Sequence, residues 1–178
     1  MRDWWSWKWV INKQSLYSPK GAVIGPLVIA GALIQEEKIS KLLEIGVKDS
    51  KLLTPKQREK LFPKIKKIIK SYKIIQIQPK EIDEALLSDS LNLNWLEAHK
   101  SAEIINSLKP DKAIIDSPSN NVRNYKNYLI KLLKNKKIDI IVEHKAEKYL
   151  PVAAASILAK VIRDNEIEKI KKKYGDCG

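Results

Sequence analysis

Cysteine is almost absent from this chain. Cys177 stands alone, so no internal disulfide can form and no cysteine-rich zinc site can be built. Histidine is nearly as scarce, and with no thiolate cluster beside them His99 and His144 carry no zinc chemistry. Long apolar runs are missing too. The longest, Ala22 to Ile34, is broken by Gly25, Pro26 and Gly31 and falls short of the roughly 20 residues that a membrane-spanning helix needs. The N-terminus holds Arg2, Asp3, Trp4, Trp5, Trp7 and Trp9 without a continuous apolar core or a small-residue cleavage site. That argues against a secretory leader and fits a cytoplasmic protein with no membrane partner. Internal repeats, low-complexity linkers and any sign of a second domain are also lacking.

What remains is ordinary for a compact fold, except in charge. The 178 residues are 44% hydrophobic, enough for one domain with a real core. Basic residues outnumber acidic ones, 34 against 21, for a net charge of +13. An excess of that sign favours polyanions, because lysine and arginine displace the counterions condensed on phosphate backbones.

The pattern predicts alternating strands and helices. Ala22 to Ile34 reads as a buried strand with a turn at Gly25-Pro26. Lys38 to Glu44 has helical spacing, and the loop Gly46 to Lys51 follows. Thr54-Pro55 supplies an N-cap and a first-turn proline for a helix whose apolar positions Leu61, Ile65, Ile68 and Ile69 keep the helical period to Ser71. Lys73 to Gln78 alternates as a half-buried strand. Helices are expected over Ile82 to Leu87, Asn94 to Leu108, Tyr125 to Leu133 and Val152 to Lys172, with short strands at Lys112 to Ile115 and Ile138 to Val142. The first of those two strands delivers Asp116 at its C-terminal end. This alternation predicts an α/β fold around a central sheet.

Four stretches, in order, resemble ribonuclease HII, the type 2 ribonucleases H, and most of all its archaeal branch. They are Gly21 to Gly31 (GAVIGPLVIAG), Gly46 to Lys51 (GVKDSK), Pro110-Asp111 running to Ile115-Asp116-Ser117, and Glu143-His144-Lys145-Ala146 followed by Ala154 to Asp164 (AASILAKVIRD). Together they cover about residues 21 to 176. The resemblance implies a ribonuclease H-like fold, a mixed sheet flanked by helices. It also implies endonucleolytic cleavage of RNA in RNA–DNA hybrids, or of duplex DNA with embedded ribonucleotides, by a monomer. The cut falls on the 5′ side of a ribonucleotide and leaves a 3′-hydroxyl and a 5′-phosphate. Four carboxylates hold two divalent ions, Mg²⁺ or Mn²⁺; such ions lie roughly 3.5–4 Å apart, and one carboxylate cannot hold both.

Carried over residue by residue, the resemblance is incomplete. The family's first strand ends in an Asp-Glu pair followed by Ala-Gly-Arg-Gly. Counting back from Gly21 sets Lys20 at the arginine and Leu16 and Tyr17 at the acidic pair, and neither can bind Mg²⁺ as a carboxylate does. Segment 1–20 is therefore expected to be atypical, replacing the first catalytic strand, with 21–178 a family-like domain that stops early at its C-terminal end. The third ligand survives as Asp116. The fourth should follow Ala146 as Asp, and Glu147 stands there, with the spacing to Ala154 one residue short. The expected catalytic and metal-binding residues are Asp116 and Glu147, and the expected substrate contacts are Lys20, Gly21, Ser50 and Lys51. Lys20 keeps the charge of the family's arginine but not its planar fork.

Plainer readings exist for several of these residues. Asp116 could cap a turn, Glu147 could be a surface glutamate, and Asp49 and Asp164 are read as loop and helix residues rather than ligands. The tryptophans could stack on bases, but Trp7 to Ile11 standing in for the first strand is the simpler account. Three functional expectations follow: an impaired ribonuclease HII, a binding-only remnant of one, or the product of a shifted reading frame.

Overall fold

The computed structural model describes residues 25–87 and 91–175, together with the backbone of 7–14. Lys20, Gly21, Leu16, Tyr17, Trp4, Trp5 and Cys177 lie outside the described residues.

Five strands form one mixed sheet. They are β1 (Trp7–Gln14), β2 (Leu27–Gln35), β3 (Ser71–Ile77), β4 (Lys112–Asp116) and β5 (Asp139–Glu143), in the order β3-β2-β1-β4-β5. β1 to β3 form an antiparallel meander, whereas β4 runs parallel to β1 and β5 parallel to β4. The strand expected at Trp7 to Ile11 is therefore real and central. The carboxyl ends of β1, β4 and β5 meet at one edge of the sheet, where open α/β sheets place their ligands.

Among the described residues, six helices flank the sheet: α1 (Ile39–Glu44), α2 (Pro55–Ile68), α3 (Pro79–Leu87), α4 (Leu93–Leu108), α5 (Val122–Leu132) and α6 (Leu150–Tyr174). β2 is buried on both faces, and its alternate residues divide between two cores. Val28, Ala30, Ala32 and Ile34 pack with α1, α2 and α6, while Leu27, Ile29 and Leu33 pack with α4 and α5. Such a strand reads as a continuous apolar run rather than an alternating one.

α6 is the structural axis of the first layer. Its first ten residues, Leu150 to Ala159, are nearly all buried, and the alanines at 153, 154 and 155 are fully so. Small side chains let the helix lie close against β1 and β2, as the alanine run suggests.

Element boundaries shift slightly from the sequence expectation. α2 ends at Ile68 and β3 starts at Ser71, because the backbone leaves helical geometry at Ile69 (ψ 150°). The N-cap is as expected: Thr54 accepts from the Gln57 N–H, and the Gln57 side chain accepts from the Thr54 N–H, a full capping box. No described helix is long and apolar enough to cross a membrane.

Candidate active site

β4 is a short run of Lys-Ala-Ile-Ile that buries Ala113, Ile114 and Ile115, so the strand is fixed and Asp116 emerges at its end. Its Cα pairs in register with that of Glu143 on β5. After β5 the chain turns sharply: Lys145 takes a left-handed conformation (φ 55°, ψ 44°), and a single 3₁₀ turn over Ala146–Lys148 leads into α6. That turn brings the Ala146 N–H to Asp116 Oδ1 at 3.0 Å. Asp116 is thereby oriented by the backbone of Ala146, the residue that directly precedes Glu147 in the chain.

The loop before α2 closes the other side. Asp49 Oδ1 accepts from the Lys51 N–H at 2.9 Å and starts a 3₁₀ turn over Ser50–Leu52. Lys51 Nζ then reaches Glu147 Oε1 at 3.1 Å across 96 residues of sequence. The glutamate side chain of this pair is only 8% exposed and the lysine's is 67%. Partial burial works against the Lys51 ammonium, but the bond to Glu147 and the charges of Glu147, Asp49 and Asp116 outweigh it and raise its pKa.

Ser50, expected from the sequence to contact substrate, lies beneath the loop surface. It is completely buried, and its Oγ lies 2.7 Å from Ser156 Oγ on α6. The hydroxyl seats the loop on the helix instead of facing the cleft. Arg58 of α2 completes the anchorage. It donates to the carbonyls of Ser50 and Leu53, and to Asp164 of α6 at 2.8 Å. Asp164, read from the sequence as a helix residue, thus pairs with Arg58. Nothing in the sequence singled out Arg58.

A cleft of about 520 Å³ opens between the Lys51 loop and the turn into α6. Its floor includes Val47 and Leu150, and its rim carries Lys48, Lys51, Lys145 and Lys148 around Glu147. Lys148 also pairs with Glu143, whose other carboxyl oxygen accepts from the Tyr149 hydroxyl at 3.0 Å. Those two bonds hold the Glu143 carboxyl below its ordinary range. His144 is exposed at the end of β5. Sequence reading missed Lys145, Lys148 and Tyr149, whose lysines look like any others in a lysine-rich chain.

The carboxylate count is short. Among the described residues no group of three or more Asp, Glu, His or Cys side chains could hold a metal. β1 reads WKWVINKQ and contains no acid. Its register with β4 runs from Lys8↔Lys112 to Ile11↔Ile115, and one further step sets Asn12 level with Asp116. The only acidic residue before Glu36 is Asp3.

The sequence pattern described as Ribonuclease HII matches residues 19–178. This chain belongs to the ribonuclease HII family. It is 50% identical over 162 residues to the ribonuclease HII of Pyrococcus horikoshii, spanning 89% of this chain and 71% of that protein. The Pyrococcus furiosus ribonuclease HII is 49% identical over 161 residues, spanning 89% and 70%. The crystal structure of the ribonuclease H2 from Pyrococcus horikoshii OT3 superposes with a TM-score of 0.81 at 46% identity, covering 96% of this chain and 79% of that one. The ribonuclease HII in the PCNA complex from Archaeoglobus fulgidus superposes with a TM-score of 0.83 at 40% identity, covering 96% and 78%. A ribonuclease HIII, Bst-RNase HIII, shares the fold at 22% identity with a TM-score of 0.73. Ribonucleases HII are endonucleases, and the ribonuclease H-like α/β fold is that of these relatives.

Proposed function

We propose that this ribonuclease HII homologue binds RNA–DNA hybrids, or duplex DNA with embedded ribonucleotides, in the lysine-rimmed cleft, and that its hydrolysis of the RNA strand is severely impaired. The observation that carries this is β1, which occupies the centre of the sheet without a single carboxylate. Segment 1–20 is atypical in this reading, and β1 replaces the family's first catalytic strand.

Asp116 and Glu147 are the residues that would hold a divalent ion, Mg²⁺ or Mn²⁺. Such an ion neutralises charge on a scissile phosphate and activates water. Two carboxylates suit one ion and not the pair that two-metal hydrolysis needs. The chain's own residues still perform the binding half of the task. Lys48, Lys51, Lys145 and Lys148 offer ammonium groups to phosphates, and the Ala146 N–H fixes the Asp116 carboxylate. Lys20 and Gly21 would add a contact to the 2′-hydroxyl of the scissile ribonucleotide. Ser50 serves this site by seating the loop that carries Lys51. The protein acts as a cytoplasmic monomer in this reading.

The test is cleavage of a duplex carrying one ribonucleotide, in Mg²⁺ and in Mn²⁺. The natural chain is compared with a version carrying Leu16→Asp, Tyr17→Glu and an Asp inserted before Glu147. Cleavage by the restored version alone, with both binding the duplex, is the expected result. Turnover by the natural chain matching the restored one would overturn the proposal.

A further inference from the structure

Lys51 stands where its charge counts most. Its ammonium meets Glu147 at 3.1 Å and lies within the field of Asp116 and Asp49. The backbone beneath it is fixed on three sides: by the Asp49 carboxylate on the Lys51 N–H, by Arg58 on the Ser50 carbonyl, and by the Ser50–Ser156 hydroxyl pair. The ammonium is thus a tethered cation bonded to the Glu147 carboxylate. Glu147, at 8% exposure, is shielded from water and depends on a nearby positive charge.

The charge balance differs from that of a site with four carboxylates. Lys51 offsets the charge of Glu147, and a divalent ion approaching that carboxylate must also approach an ammonium of its own sign.

We propose that Lys51 acts as a built-in cation at the Asp116–Glu147 site, organising the cleft without metal and opposing the uptake of a divalent ion. This rests on the reading of Asp116 and Glu147 as the surviving ligands. Binding of a hybrid is then the same in Mn²⁺ and in EDTA.

The experiment is Mn²⁺ uptake by the full chain, followed by the electron paramagnetic resonance signal of free Mn²⁺. The natural protein is compared with Lys51→Gln, Lys51→Arg, Asp116→Asn and the Lys51→Gln/Asp116→Asn double variant, each checked for folding by circular dichroism. Lys51→Gln should bind Mn²⁺ about tenfold more tightly than the natural chain, as removal of one adjacent like charge implies. Lys51→Arg should bind no more tightly, and the double variant should lose the gain. If the natural chain takes up Mn²⁺ through Asp116 and Lys51→Gln leaves that affinity unchanged, the ligand reading stands and the role given to Lys51 fails. If no variant takes up Mn²⁺, or if the gain survives Asp116→Asn, the ligand reading fails with it.

Discussion

Asp116 and Tyr125 show how single residues answer to different forces. The place of Asp116 at a strand end was legible, and its reading as a ligand came from the resemblance, whereas its orienting partner, the Ala146 N–H, is 30 residues away and was not legible. Glu147 and Lys51 were each read as site residues, but their pairing across 96 residues belongs to the fold. The buried contact of Ser50 with Ser156, 106 residues distant, was not legible for the same reason. Ser156→Ala should lower unfolding free energy by about 1 kcal/mol, the worth of one hydrogen bond, as measured by urea denaturation. Tyr125 is 1% exposed. Burial outweighs the lowering by a Ser101 hydrogen bond and, with smaller contributions from the charges of Glu97 and Asp116, raises its pKa well above the ordinary value of 10.0. Lys51 is likewise raised above 10.5. In both cases the folded state binds its proton more tightly than the unfolded chain, so stability is retained below pH 10 and is lost as pH climbs beyond it. Urea midpoints should fall above pH 10, and Tyr125→Phe should flatten that fall.

At the level of elements, capping and periodicity made α2 readable from its first residue, because Thr54, Pro55 and Gln57 act locally. α6 was readable in position but not in its environment. Its first ten residues are nearly all buried and carry no amphipathic stripe, and the alanine run hinted only at close approach. Ala154→Leu should destabilise the protein by about 1–3 kcal/mol through overpacking, seen as a lower urea midpoint at unchanged slope. Gly25, before β2, has φ +88°, and a Cβ there would meet the tip of Ile167 on α6 at 2.6 Å. The isoleucine tip can rotate aside, but the backbone conformation cannot, so Gly25→Ala should cost about 1–2 kcal/mol. A thermal melt would register it.

For the whole molecule, the α/β class followed from alternating patterns, whereas the strand order did not. Nothing local says that β1 sits between β2 and β4, since that placement depends on a parallel pairing more than a hundred residues apart. The net charge of +13 was legible at once, but its focus was not: four lysines gather at one cleft only after folding. If Lys48, Lys51, Lys145 and Lys148 each meet a phosphate, hybrid affinity should drop about 50- to 150-fold between 50 and 200 mM salt. Fluorescence anisotropy of a labelled hybrid would measure it, and a flat response would remove the cleft from the binding surface.

The division of β2 between two cores has a further consequence. Its alternate residues tie α1, α2 and α6 to one face of the sheet and α4 and α5 to the other, while the site occupies the far tips of β4 and β5. Cohesion therefore rests mainly on the strand interiors, and the candidate site on their tips, with Val47 and Ala146 shared between the two. Catalysis can decay at a strand tip without loosening the scaffold. On the function proposed above, a variant altered only at those tips should unfold at the same urea concentration as the natural chain whether or not it cleaves.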